Sequence, residues 1–284
     1  MSGSGAVGLV LARPARLLGV EPFFMEFIAG IEETLAARGM SVLLHVVPSH
    51  DAEITAYERW ARRGLVDAVV VVNLAAEDRR PGVLRSLGLK SLVVGTWAAD
   101  PDTPAVPSDD VGPVREAFGH LVELGHRHIA RVTGPGDLLH TRARTRAMVA
   151  CCREAGIEPV MLEGDYTAES GAELTAQLLR RAVRPTAITY DNDVMAVAGL
   201  GVAKELGVAV PRDLSLVAWD DSAMCQLATP ALSVMRGDIH QFGVTVAESV
   251  LELVDDLPVT SRWSPAVRFL PRGSTAPAPV ARAT

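Results

Sequence analysis

Aromatic residues make up only 5% of the 284 residues, cysteine occurs three times, and no apolar run comes near the roughly 20 residues that a membrane span needs. Each shortage excludes something. No spanning helix is expected, and no basic-plus-apolar leader precedes the first strand, so the chain reads as soluble, unexported and cytoplasmic, with no membrane partner. Cys151, Cys152 and Cys225 are odd in number and lack metal-site spacing, which predicts reduced core thiols. His126 and His128 flank the start of a strand and read as structural, so neither a metal nor a cofactor is expected. A formal net charge of -7 argues against a nucleic-acid surface on these residues. No phosphate loop ending in Gly-Lys-Ser or Gly-Lys-Thr, no nucleophile elbow and no dinucleotide glycine fingerprint occurs, which argues against an enzyme.

What is present is small and aliphatic. Hydrophobic residues reach 49%, the composition of helices packed on a covered parallel sheet. Ala6 to Leu11 reads as a buried strand, and a helix through Phe27, Ile31 and Leu35 stops at Gly39. Val42 to Val46 and the valine run from Ala68 to Asn73 are further strands, with a helix from Ile54 to Arg63 between them. Pro101, Pro104 and Pro107 interrupt this series, and a second begins at Asp109 with a helix over Gly112 to Glu123 and a strand over His128 to Val132. A helix over Thr141 to Ala155, a strand at Val160 and Leu162 and a helix over Ala168 to Arg181 follow, and further on a helix from Val244 to Leu257 reads as a return to the first series. Two such series without a long linker predict two similar α/β lobes.

The densest set of candidate ligand groups lies between Pro185 and Asp221. Strand Thr186 to Tyr190, helix Val194 to Leu206 with its stop at Gly207, and strand Leu214 to Trp219 make a βαβ unit. Both strands end in acids, Asp191 and Asp193 after the first and Asp220 and Asp221 after the second. Ligands of open parallel sheets bind beyond the carboxyl ends of the strands. Four acids at one edge repel each other unless donors, a cation or water meet them, so a polyhydroxyl ligand is a natural partner. Asp191 to Asp193 read equally well as caps of the following helix, whereas Asp220 has no obvious helix to cap. Trp219, just inside a strand end, reads as core, and Arg142 as part of a solvated helix face.

In order and spacing, a set of segments resembles the effector-binding core of the LacI/GalR (lactose/galactose repressor) family of transcriptional regulators over residues 6–275. They are EPFF (Glu21 to Phe24) leading to GIEETLAARG, VDAVVVV (Val66 to Val72), ELGHRHIARVTGP (Glu123 to Pro135), REAGI, PTAITYDNDVMAVAG, VPRDLSLVAWDD, TPALSVMR and PRGST (Pro271 to Thr275). The resemblance implies a periplasmic-binding-protein-like type I fold: two doubly wound parallel-sheet lobes joined by three crossovers, with a small-molecule effector in the cleft. The N-terminal lobe is expected at 6–108 plus 238–262 and the C-terminal lobe at 109–237 plus 263–275. Residues 1–5 read as a flexible linker or remnant and 276–284 as a disordered tail. The resemblance further implies a homodimer, and operator DNA bound only through a helix-turn-helix headpiece that is not among these residues.

Site residues carry over where positions match. Arg144 matches the family's effector-contacting arginine, Asp220 the first of its aspartate pair, and Asn192 an amide that faces the cleft in sugar-responsive members. Phe23 and Phe24 match the loop that caps the ligand from the first lobe, and Tyr166 an aromatic position in the second. Departures are Glu21 in place of the usual Asn, Gly95 where an aspartate often ends the fourth strand, with Trp97 nearby, and Gly237 at the second crossover. Glu21 and Trp97 are therefore candidates to fill the space that the glycines leave, and Asn73 is a further candidate. The effector expected is a saccharide, modified or larger than usual. A solute-binding protein of a sugar transport system shares this fold, but the GHRHIA and PRGST segments favour the regulator.

Overall fold

Valine-rich strands set the frame. In the computed structural model, which describes residues 3–13, 21–95, 100 and 102–279, β1 (Ala6–Ala12) pairs in parallel with β2 (Ser41–Val47) and β3 (Ala68–Val71). Beyond β3 come β4 (Lys90–Val94) and β5 (Ala105–Val106), so that the first sheet has the order β2-β1-β3-β4-β5. All four residues of β3 are buried, as expected of a strand covered on both faces. Helices α1 (Pro22–Ala36), α2 (His50–Arg63) and α3 (Arg80–Ser86) belong to this unit, as does α9 (Ile239–Val254), which arrives from much later in the chain. Local chemistry sets their ends: Ser49 caps α2 by accepting from the Ala52 N–H, and Gly64 closes it at φ 57°.

Helices α1 and α9 meet backbone to backbone. A Cβ on Gly30 would lie 2.0 Å from the His240 carbonyl oxygen, and one on Gly243 would lie 2.1 Å from that of Phe27. Around the crossing, Phe27, Ile31, Leu35, Phe242, Val246 and Val250 form one core with β1 and β3.

The second unit is built on a six-stranded sheet of order β11-β10-β9-β8-β6-β7. Its strands are β6 (Ile129–Thr133), β7 (Val160–Glu163), β8 (Ala187–Tyr190), β9 (Ser215–Trp219), β10 (Ser233–Arg236) and β11 (Arg268–Leu270). Side chains alternate between its faces. Ile188, Leu216 and Val234 pack on one side with α6 (Ala168–Leu179) and α7 (Asp193–Glu205), while Ala187, Val217 and Met235 pack on the other with α4 (Gly112–Glu123) and α5 (Leu139–Ala155). By contacts the chain divides into residues 1–109 with 238–265 and residues 110–237 with 266–284, so it passes between the units three times.

Several expectations need correction. The second sheet is not wholly parallel, because β11 pairs antiparallel with β10. A parallel neighbour needs a crossover packed on its own sheet, whereas β11 is entered from the other unit. The chain past Thr275 is not loose as far as residue 279. The Ala276 carbonyl accepts from His126 Nε2 at 3.1 Å, and the Ala278 N–H donates to the Leu124 carbonyl at 2.8 Å. At the other end, Ser4 and Gly5 N–H groups donate to the Asp67 carboxylate at 2.7 and 2.8 Å. Helix α9 starts five residues before the expected Val244, because Asp238 caps it by accepting from the Gln241 N–H at 2.9 Å. The two-residue β5 and the five-residue α8 (Ala223–Leu227) had no counterpart in the sequence reading.

Candidate functional site

The carboxyl edge of the second sheet gathers charge. Its foundation is Arg131, an arginine inside the otherwise uncharged strand β6 and only 2% exposed. Nε and Nη2 donate to Asp191 Oδ1 and Oδ2 at 2.7 and 2.6 Å, and Nη1 donates to Thr145 Oγ1 at 3.0 Å. The Gly134 N–H adds a bond to Asp191 Oδ2 at 3.0 Å. Burial would raise the Asp191 pKa, but the Arg131 guanidinium outweighs it and holds the carboxyl below the ordinary carboxylate range. Asp191 is thus a structural anion at the end of β8.

Arg144 stands on this base. Projecting from the second turn of α5 and 8% exposed, it donates from Nε to Asp110 Oδ1 at 2.9 Å, with Nη2 2.8 Å from the same oxygen, and from Nη1 to the Asp191 carbonyl at 3.4 Å. Its Cζ lies 3.3 Å from the centre of the Trp219 ring. Burial lowers its pKa, and Asp110 and Asp191 more than reverse this, so it is permanently charged. Trp219 is buried, as the sequence suggested, yet its ring is also the platform of the arginine.

The acids divide by partner. Asp221 is gripped by Arg272 at 2.6 and 2.7 Å. Asn192 caps α7 by accepting from the Met195 N–H at 2.9 Å and donates to the Tyr166 carbonyl at 2.9 Å. Asp193 is 4% exposed; one oxygen accepts from the Val194 N–H, and the other meets no donor in bonding geometry. Burial raises its pKa, and the nearby Ser222 hydroxyl tempers the rise without aligning as a donor. Asp220 differs from all of these. Half-buried at φ 71°, it donates its N–H to the Met235 carbonyl at 3.1 Å, but its carboxylate takes no hydrogen bond from any described residue.

Burial first, and then the charges of Asp193, Asp110 and Asp191 against that of Arg144, push Asp220 up to about 8. Because the folded state holds this proton more tightly than the unfolded chain does, the stability it contributes is complete below the ordinary carboxylate range and lost as pH rises toward 8. Asp220→Asn is therefore expected to gain about 2 kcal/mol over the parent at pH 9 and nothing at pH 4, in urea titrations at both values. That figure is set well under the full displacement because the carboxylate keeps solvent contact. Equal stabilities at pH 9 would contradict it.

Tyr166, at φ 70°, places its hydroxyl 2.8 Å from His140 Nε2 and 3.3 Å from Thr141 Oγ1. Burial, and then the charge of Arg144, lower the His140 pKa to about 4, so its imidazole is neutral at pH 7. In the first unit, Glu21 pairs with Arg13, whose Cζ lies 4.2 Å over the ring of the core residue Phe24. Phe23 is half-buried and stacks on Phe27 at 5.9 Å. Asn73 sits at φ 51° with its carbonyl accepting from Arg80 Nη2 at 2.9 Å. Trp97 lies outside the described residues. Sequence reasoning did not single out Asp110, Arg131 or His140; an arginine amid the buried run IARVT was the signal available for one of them.

Two α/β units, a parallel-sheet edge rich in hydrogen-bonding groups and three chain passages define a periplasmic-binding-protein-like domain, and the family profile of that description matches residues 118–275. The HTH-type transcriptional regulator AglR of Rhizobium meliloti is 28% identical over 96% of this chain and 79% of its own length. For the HTH-type transcriptional repressor CytR of Escherichia coli the values are 29%, 84% and 70%. A crystal structure of a LacI family transcriptional regulator from Bifidobacterium animalis subsp. lactis is 36% identical, with a TM-score of 0.88 over 98% of this chain and 100% of that one. A complex of the transcriptional regulator CelR with cellobiose is 26% identical, with a TM-score of 0.87 over 96% of this chain and 85% of that one. The chain belongs to the LacI family of transcriptional regulators and is the effector-binding core of such a regulator.

Proposed function

We propose that the effector is a saccharide and that Arg144 and Asp220 anchor it. The observation that carries this is Asp220: a carboxyl group beside a charged guanidinium, with no hydrogen bond from any described residue and its proton held by burial, can both donate to and accept from ligand hydroxyls. The cellobiose complex of CelR supports the same ligand class. Tyr166 offers an aromatic face and the remaining amide hydrogen of Asn192 a donor, while in the first unit Phe23, Phe24, Glu21 and Asn73 are assigned effector contacts. In this reading the core acts as a cytoplasmic homodimer, and effector binding controls operator binding by a DNA-binding headpiece.

A thermal-shift screen over mono- and disaccharides, sugar phosphates and nucleosides tests the ligand class, since a ligand at 100 times its dissociation constant stabilises by about 2.7 kcal/mol. With the saccharide so found, Arg144→Ala and Asp220→Ala are each expected to weaken binding by about one to two decades, the loss of a hydrogen bond to a charged group. Calorimetry showing both variants binding as tightly as the parent would remove them from the site, and a screen answered only by nucleosides would remove the saccharide.

A further inference from the structure

Arg144 is not an open cation. Its Nε–H donates to Asp110 Oδ1 at 2.9 Å while Nη2 stands 2.8 Å from the same oxygen, an Nη1 N–H reaches the Asp191 carbonyl at 3.4 Å, and the Trp219 ring covers one face. The wider cluster holds four carboxyl groups, Asp110, Asp191, Asp193 and Asp220, against two guanidiniums, Arg131 and Arg144. Arg131 is committed to Asp191 and Arg144 to Asp110. A ligand with its own negative charge would find no uncompensated positive charge here, because each guanidinium already faces a carboxylate. A hydroxyl-rich ligand finds the remaining N–H donors of Arg144 and the carboxyl group of Asp220. A ligand ammonium beside Asp220 would in addition favour loss of the proton that burial holds there, and so gain a carboxylate partner.

Building on the saccharide reading, we propose that Asp110 is a charge filter: by pairing with Arg144 it restricts the site to neutral or cationic hydroxyl-rich effectors and shuts out phosphorylated and acidic sugars.

Removing the charge of Asp110 while keeping its size leaves Arg144 charged and uncompensated, which an anionic ligand would relieve. The test is calorimetry at fixed ionic strength on the parent and Asp110→Asn, with cellobiose against cellobionate and glucose against glucose 6-phosphate and glucosamine. The parent is expected to prefer each neutral or cationic sugar to its anionic counterpart by about tenfold or more, the effect of placing like charges together. Asp110→Asn should shift that ratio toward the anion by about tenfold, and less at high salt. If Asp110→Asn does not fold, Asp110→Ser carries the same comparison, and the selectivity of the parent is an independent measurement. A parent that binds the anionic sugars as tightly as their neutral counterparts, or a folded variant that gains nothing for anions, overturns the filter. If no neutral sugar binds the parent but Asp110→Asn takes up cellobionate or glucose 6-phosphate, the filter stands and the saccharide reading falls. No binding of any of these sugars to either protein overturns both.

Discussion

Asp191→Ala is expected to destabilise the second unit by about 3 to 5 kcal/mol, the cost of leaving a buried partner charge uncompensated. Arg131 is 2% exposed, and among the described residues its guanidinium donates to Asp191 and the Thr145 hydroxyl. Without the carboxylate it must shed its charge, which arginine does not do, or draw water into the strand end. The Gly134 N–H loses its acceptor at the same time. Urea unfolding checks the size, followed by probes in both units so that separate transitions are resolved. Exchanging both partners, as in Arg131→Met with Asp191→Leu, should recover most of the loss, since an apolar pair carries no desolvation cost. The pH dependence has a definite sign. With its folded pKa held down, Asp191 contributes stability above the ordinary carboxylate range and loses it as pH falls through the depressed value. This acid-side loss is opposite in sense to that of Asp220, which acts on the alkaline side.

Gly243→Ala is expected to cost about 3 kcal/mol in the first unit, because overpacking forces rigid backbones apart. The new methyl would stand 2.1 Å from the Phe27 carbonyl oxygen, and 3.0 Å from the Ile31 nitrogen. Neither atom is the movable end of a side chain, so the two helices must separate and open the core around Phe27, Phe242 and Val246. Gly30→Ala should act alike, through the His240 carbonyl at 2.0 Å. A control separates crowding from helix propensity. Gly201 lies on an open face of α7, and Gly201→Ala should gain about 0.5 to 1 kcal/mol. Thermal unfolding of the three variants decides the matter, and a Gly243→Ala protein as stable as the parent would mean that the crossing is looser than described.

Much of the architecture was legible because each element carries a local signal. Helix α4 was read with its observed bounds, since Gly125 follows its last turn and its apolar residues recur at helical spacing. Strand β3 announced itself as a valine run. Strand β5 did not, because two residues between Pro104 and Pro107 offer no periodicity. The start of α9 was hidden for a different reason: its cap, Asp238 with Gln241, precedes the apolar stripe on which the reading relied. The site divides in the same way. Asn192 could be seen as a cap or as a ligand group from its place before α7, and its side chain forms the cap. The partners of the charged groups could not be seen at all. Arg131 and Asp191 are 60 residues apart, and Arg144 and Asp110 are 34 apart. Those pairings exist only once parallel strands bring their carboxyl ends together, and no local pattern encodes them.

The crossing of α1 and α9 also orders events during synthesis. The core that α1 begins near residue 22 is closed by α9, which starts at Ile239, after nearly the whole second unit has been made. A nascent chain that has grown only to residue 200 therefore carries the five-stranded sheet with the Gly30 face of α1 uncovered. Domains fold as units once their chain is complete, and exposed apolar faces are what chaperones engage in the interval. The second unit waits as well, for β11 and the residues that bond to His126 and Leu124. Neither half can finish long before the other, which ties the appearance of a competent sensor to the emergence of the segment from Ile239 to Ala278.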